Sequence, residues 1–308
     1  MANNAEKISP MGFVHPRHWP SWLSIGIVYI TSYLPYHWQV VIGCYIGKLA
    51  YWVMPGRRHI AKVNLHLCFP ELTAEQRQQL LKQNFAEMGV SIVEMGLAYW
   101  GKDDYLQRLV NIEGKEHLDA ALQKGKGVIL LCAHFITMDM VARLVGKRYG
   151  IWGVYRPQKK LLFDRFLFRL RSRALSGLLH RKDIRAIVQC LKQNYPIYYA
   201  ADQDYGLRHS VFSAFFNIPA ATITAGFRLA KLSGAAIVPV FHYRLPRAQG
   251  YQIVFHPALE NVSEEESLTD SLARTNRLIE DAIRICPEQY LWVHRRFKTR
   301  PDGAPGFY

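Results

Sequence analysis

The stretch Gly127-Val128-Ile129-Leu130-Leu131-Cys132-Ala133-His134-Phe135-Ile136-Thr137-Met138-Asp139 changes its periodicity part-way along. Its first half is aliphatic, β-branched and too short for a helix, so it reads as a buried strand. From Thr137 the pattern is helical. Thr137 stands at the N-cap, Asp139 in the first turn, and Val141, Leu144 and Val145 on one apolar face. Lys147 and Arg148 occupy the last turn, and Gly150 stops the helix. A strand ending at His134 and a helix beginning beside Asp139 form one unit of an α/β sheet. Such sheets bind their ligands outside the carboxyl ends of the strands.

The alternation continues on both sides. Thr73-Ala74-Glu75-Gln76 opens a long helix to about Tyr99, with Thr73 and Gln76 set as a capping box. A short strand at 110–112 and a helix at 116–122 precede the central strand. After it come a strand at 151–155, a helix at 159–175, a helix at 183–192 and a strand at 196–201. A helix at 221–232 closes at Gly234, strands follow at 236–243 and 251–256, and an acidic loop at 264–266 leads to a helix at 268–285. This order predicts one α/β domain with a mixed, largely parallel central sheet flanked by helices.

The 308 residues suffice for a full core, and with half of them hydrophobic and 13% aromatic the chain is not a disordered one. Thirty-nine Lys and Arg against 24 Asp and Glu leave a charge of +15, which calls for an anionic partner. The five cysteines are scattered without a CxxC, so neither a disulfide framework nor a zinc site is indicated, and a reducing compartment is expected.

Residues 18–47 contain no Lys, Arg, Asp or Glu. That window is long enough for a bilayer span of about 20 residues, but Pro35-Tyr36-His37 kinks or divides it. Trp19, Trp22, Trp38 and Trp52 suit interfacial anchoring. We therefore expect residues 1–62 to be a membrane-anchoring segment, a single span or a kinked interfacial element, and 63–308 the catalytic domain. Arg57, Arg58, His59 and Lys62 directly after the window place that domain on the cytoplasmic side. On the 159–175 helix, Arg165, Arg169 and Arg173 form one row beside Phe163, Phe166, Leu167 and Leu170. This pattern suits either an interfacial helix on anionic lipid or a surface helix with a solvated edge.

His134, Arg156 and Asp202 all fall at predicted strand ends, which converge on one crevice. An imidazole takes a proton from an alcohol when a carboxylate fixes its tautomer, and Asp139 is placed to do so. Such a base contributes about 10²–10⁴-fold. Arg156 is placed to stabilise an oxyanion. Asp202 and Asp204 either bind a metal or orient a neighbouring loop or basic side chain. Arg295, Arg296, Lys298 and Arg300 are either an anion clamp or a solvated basic tail. There is no G-x-S-x-G elbow, and Cys132 reads as a buried strand cysteine. The simplest chemistry is attack by a substrate hydroxyl, activated by His134, on an activated acyl group.

His134-x4-Asp139 resembles the H-x(4)-D/E signature of the glycerolipid acyltransferases. The whole chain is similar to the lipid A biosynthesis late acyltransferases of the lauroyl and myristoyl type. The similarity includes His15-Pro16-Arg17, Asn64-Leu65-x-Leu67-Cys68-Phe69-Pro70, Gly153-Val154-Tyr155-Arg156-Pro157, Asp202-Gln203-Asp204-Tyr205-Gly206 and His294-Arg295-Arg296-Phe297-Lys298-Thr299-Arg300-Pro301. One departure is Asp139, where this family usually has Glu. The resemblance implies a glycerolipid-acyltransferase-like fold and a Gram-negative inner-membrane enzyme facing the cytoplasm. Its donor would be an acyl carrier protein thioester, usually lauroyl. Its acceptor would be a hydroxyl on a 3-hydroxyacyl chain of a Kdo-bearing tetra-acyl lipid A precursor. His134, Asp139, Arg156 and Asp202 would be catalytic, and Tyr155, Arg295, Arg296 and Lys298 would meet substrate. No cofactor, metal or nucleic acid is expected. The alternatives are an acyltransferase with a lysophospholipid or other glycolipid acceptor, a metal-dependent glycosyltransferase using Asp202 and Asp204, and a non-enzymatic binding protein.

Overall fold

The computed structural model describes residues 15–158, 160–259 and 267–308, so Lys159 and the acidic loop lie outside the described residues. Its strands are β1 (Val110–Glu113), β2 (Val128–Cys132), β3 (Trp152–Tyr155), β4 (Gly177–His180), β5 (Pro196–Ala200), β6 (Ser210–Phe215), β7 (Ile218–Ile223), β8 (Ala236–Arg244) and β9 (Tyr251–Phe255). Its helices begin with α1 (Trp19–Thr31), α2 (Tyr36–Val53), α3 (Pro55–Cys68), α4 (Ala74–Trp100), α5 (Asp103–Gln107) and α6 (Lys115–Gln123). They continue with α7 (Met138–Val145), α8 (Leu161–Ala174), α9 (Ile184–Lys192), α10 (Ala225–Ser233) and α11 (Leu268–Ile285).

Seven strands form one sheet in the order β1-β9-β8-β2-β5-β3-β4. Only the β8–β9 pair in it is antiparallel, so the sheet is mixed and largely parallel as the alternation predicts. β2 is central, and all five of its side chains are buried. Its alternation divides them between two faces. Val128, Leu130 and Cys132 pack with α6, α7 and α8, while Ile129 and Leu131 pack with α9 and α10. A third cluster, built on Phe85, Phe135, Phe241, Ile283 and Trp292, joins α4 and α11 to the chain's last segment.

The capping box at α4 forms as read: Thr73 Oγ1 accepts from Gln76 N–H, and Gln76 Oε1 accepts from Thr73 N–H. Two elements carry weak local signals. β4 is only four residues long. The β6–β7 hairpin turns on Phe216 and Asn217, both at positive φ (49° and 60°), where an Asn-Gly pair is the usual marker. Because β7 occupies 218–223, α10 starts at Ala225 rather than at 221.

The N-terminal window is divided where Pro35 stands, α1 ending at Thr31 and α2 starting at Tyr36. The expected transmembrane helix is not found: among the described residues no helix is long and apolar enough to cross a membrane. Instead α2 lies against α4 at backbone contact. A Cβ on Gly89 would stand 2.1 Å from Gly43 O, and one on Gly47 would stand 2.0 Å from Phe85 O. The start of α2 is also tied inward, since Tyr36 OH donates to Glu94 Oε1 at 2.9 Å. Glu94 in turn accepts from Arg244 Nε at 2.6 Å and from Tyr251 OH at 2.5 Å. The outer side of α1 and α2 keeps Trp19, Leu23, Ile30, Tyr45, Leu49 and Trp52 exposed. So large an apolar patch marks a surface that meets protein or membrane.

Candidate active site

Strand register assembles the site. Cys132 pairs with Ala200 in the parallel β2/β5 ladder, so the residues two beyond each strand end come abreast. These are His134 and Asp202. The His134 Nδ1–H donates to Asp202 Oδ1 at 2.6 Å, and the His134 backbone N–H donates to Oδ2 at 3.0 Å. Tyr290 OH donates to the same Oδ2 at 2.7 Å. Asp202 is 1% exposed, whereas the His134 side chain is 23% exposed. Burial pushes the Asp202 carboxyl up. Its electrostatic interaction with the His134 imidazole and the hydrogen bonds from His134 and Tyr290 outweigh burial and hold it well below the usual carboxylate range. With Nδ1 holding the proton, Nε2 is left as the basic nitrogen.

The chain's final segment closes over this pair. Phe135 forms a bridge with Tyr290, Ile136 N–H donates to Gln289 O at 3.0 Å, and Leu291 N–H donates to His134 O at 3.1 Å. Two buried asparagines hold that segment in turn. Asn84 of α4 donates to Glu288 O and Tyr290 O, both at 2.8 Å. Asn64 of α3 donates to Trp292 O at 2.6 Å and His294 O at 2.7 Å. His294 Nε2 accepts from Asp204 N–H at 3.3 Å. Burial pushes the His294 ring down to about 4, helped by the charges of His134 and Arg296 and opposed by Asp202 and Asp204.

Behind the loop carrying His134 lies a buried polar chain. His242 Nδ1 is 2.8 Å from Thr137 Oγ1, and its Nε2 is 2.6 Å from Tyr198 OH. Burial pushes His242 down to about 3, so it is neutral at ordinary pH. Thr137 is the N-cap residue of α7, as its sequence context predicts, but its hydroxyl serves His242 rather than the helix.

Several candidate residues stand elsewhere than expected. Asp139 does not hold His134. Its carboxylate takes a fork from Arg171 of α8, with Nε to Oδ1 at 2.7 Å and Nη2 to Oδ2 at 3.2 Å. In the first turn of α7, Asp139 pairs with α8, while the β5 end supplies the carboxylate that meets the imidazole. Tyr155 is buried with its hydroxyl on the Asp164 carboxylate, so it does not present itself to substrate. Arg296 is no surface clamp: it is 3% exposed and donates to Ala221 O at 2.8 Å and Thr222 Oγ1 at 3.0 Å. Arg300 likewise holds Pro219 O at 2.9 Å. Arg295 and Lys298 are exposed, as is Arg156 just past β3. Asp204 accepts from Thr299 N–H at 2.7 Å, Thr299 Oγ1–H at 2.8 Å and Gly206 N–H at 2.8 Å. Asp202 and Asp204 thus serve separate hydrogen-bond networks, and among the described residues no group of three or more side chains is arranged to hold a metal.

The family described as bacterial lipid A biosynthesis acyltransferase matches residues 7–299. This chain belongs to that family. It is accordingly an acyltransferase. It is 38% identical over 296 residues to the lipid A biosynthesis lauroyltransferase of Escherichia coli, covering 96% of each chain. It is 35% identical to the palmitoleoyltransferase of the same organism over 297 residues, again 96% of each, and 29% identical to its myristoyltransferase, covering 98% of this chain and 94% of that one. Among solved structures it is similar to a 1-acyl-sn-glycerophosphate acyltransferase from Thermotoga maritima, with a TM-score of 0.38 and 13% identity over 79% of this chain and 97% of that one. That likeness is too distant to bear on the reaction.

In this acyltransferase the residues that sequence reasoning passes over are Tyr290, His294, Asn64 and Asn84. Each acts through contacts more than 60 residues away along the chain, and only the recurrence of Asn64 and His294 inside the family-like stretches hinted at them.

Proposed function

We propose that this lipid A biosynthesis acyltransferase moves a fatty acyl group, lauroyl in the first instance, from acyl carrier protein to a hydroxyl of a Kdo-bearing tetra-acyl lipid A precursor. The observation that carries the reading is the His134–Asp202 pair, a partly exposed imidazole whose Nδ1 is held by a buried carboxylate. The acceptor O–H gives its proton to His134 Nε2 as its oxygen attacks the thioester carbonyl. Asp202 stabilises the imidazolium that forms. Arg156, exposed at the end of the neighbouring β3, supports the tetrahedral oxyanion. When the C–S bond breaks, the proton passes from Nε2–H to the departing sulfur. No covalent acyl-enzyme is required.

The exposed aromatic side of α1 and α2 supports attachment to the inner membrane by lying in its interface, with the catalytic domain toward the cytoplasm. The charge of +15 suits both the acidic carrier and the phosphorylated acceptor. Mass spectrometry of the product made from purified acceptor and mixed acyl carrier protein thioesters tests the donor and acceptor. A product on a lysophospholipid but not on the lipid A precursor would reassign the acceptor. His134→Ala is expected to lose at least about 100-fold in turnover, and near-wild-type transfer by a folded variant would overturn the assignment.

A further inference from the structure

An open depression of about 530 Å³ lies where α2 gives way to α3, lined by Met54, Gly56, Arg57, Ile60 and Arg295. We propose that it binds the phosphate of a membrane-embedded phosphorylated lipid. Within the acyltransferase reading above, that lipid is the acceptor, and the depression fixes its headgroup. Two guanidiniums meet here from distant parts of the chain. Arg57 commits one nitrogen to Val293 O, at 3.1 Å, and Arg295 lies with its guanidinium carbon 5.8 Å from the Tyr308 ring centre. Neither forms an ion pair with a carboxylate among the described residues. No Asp or Glu occurs in the sequence between Glu6 and Glu71 to oppose them. Planar guanidiniums bind phosphate oxygens in pairs, and their charge does not titrate away.

The remaining wall indicates an amphiphile rather than a soluble ion. Met54 and Ile60 are apolar, and Trp52 and Val53, which precede Met54 in the chain, are 71% and 65% exposed. A phosphate seated on Arg57 and Arg295 would thus have its acyl chains beside the same apolar face that α1 and α2 present. The depression is also fixed relative to the catalytic pair. Asn64, on the same helix as Arg57, holds the carbonyls of Trp292 and His294, on either side of the Val293 carbonyl that Arg57 takes.

The test is binding of the full chain to vesicles of phosphatidylcholine with and without phosphatidic acid. Wild type is expected to bind in a phosphatidic-acid-dependent way, and Arg295→Ala and the Arg57→Gln/Arg295→Ala pair to weaken that by about tenfold or more, the scale of a charged hydrogen bond. Arg57→Lys separates charge from the hydrogen bond to Val293. Arg185→Ala, exposed on α9, controls for net charge and is expected to bind as wild type. Equal binding by the Arg57/Arg295 pair, or equal weakening by Arg185→Ala, would overturn the proposal. Displacement of the vesicles by millimolar inorganic phosphate would overturn its assignment to a lipid. In transfer assays the pair should raise the acceptor KM and spare kcat. If His134→Ala transfers normally while the arginine variants lose binding, the reaction is misassigned and the depression stands. If His134→Ala is inactive and the arginine variants bind and turn over normally, the depression is misassigned and the reaction stands.

Discussion

His134 Nδ1 and Asp202 Oδ1 are 2.6 Å apart although 68 residues separate them in the chain. The carboxylate that fixes the imidazole therefore comes from the neighbouring strand end and not from the helix that follows His134. The contrast between two conservative variants tests this. Asp202→Asn keeps the shape but removes the charge behind the ring, and is expected to lower kcat by about 10²–10⁴-fold. Asp139→Asn leaves that pair intact and weakens the Arg171 fork, so it should lower stability by about 1–3 kcal/mol while kcat stays within about tenfold of wild type. Steady-state kinetics with urea unfolding of both variants checks the pair. A reversed order of kcat losses would return the orienting role to Asp139.

Among the described residues, Tyr290 supplies the side-chain hydroxyl that meets Asp202, through a 2.7 Å bond to Oδ2. Tyr290→Phe removes that donor and little volume, leaving a buried carboxylate oxygen with the His134 backbone N–H alone. A hydrogen bond to a charged group contributes about 1.5–3 kcal/mol. We expect kcat to fall about tenfold or more with little change in either KM. An unaltered kcat would show that Asp202 needs no third partner.

The local signals were strong where one segment decides its own structure. The continuous aliphatic run of β2 is buried on both faces, and the Thr73–Gln76 capping box forms with both bonds. The site was legible only as strand ends. His134 and Asp202 could be placed at one crevice, but which carboxylate meets the imidazole depends on β2/β5 register, a non-local quantity. A basic cluster such as Arg295 to Arg300 reads as one surface, yet Arg296 turns inward to Thr222 and Arg295 outward. Tyr155 and Asp164 are nine residues apart, and their bond depends on how α8 folds back over β3. In the N-terminal window, composition revealed the apolar surface, while Pro35 and the close contacts on α4 decided that two short helices form instead of a span.

Stability should fall as the medium becomes acidic before most carboxylates titrate. His294 and His242 titrate at about 4 and about 3 in the folded chain, against an ordinary value of 6.5. Between those values and 6.5 the unfolded chain binds protons that the folded chain refuses, so lowering pH through this window favours unfolding. Asp202, also depressed, adds a loss in the same direction at lower pH. Urea midpoints measured from pH 7.5 to 4.5 should decrease steadily, and His294→Asn should flatten part of that slope. A midpoint that rises on acidification would contradict the buried neutral state of these rings.

The N-terminal pair of helices is seated by the absence of side chains. A methyl group on Gly89 would meet Gly43 O at 2.1 Å and Gly47 N at 2.3 Å, so α2 must move or α4 must bend. Overpacking of this kind costs about 1–3 kcal/mol. Displacing α2 also disturbs Tyr36, whose hydroxyl reaches Glu94 in the buried network with Arg244 and Tyr251. Gly26 on α1 supplies the comparison, because nothing lies within 4 Å of its missing Cβ. Gly89→Ala is expected to lower the unfolding midpoint, whereas Gly26→Ala should hold or raise it by reducing the freedom of the unfolded chain, by up to about 1 kcal/mol. Thermal unfolding of the two variants in the same detergent measures the difference directly. If Gly89→Ala unfolds no earlier than Gly26→Ala, α2 does not rest on α4 at backbone contact, and the apolar face it presents would have to be oriented by something else.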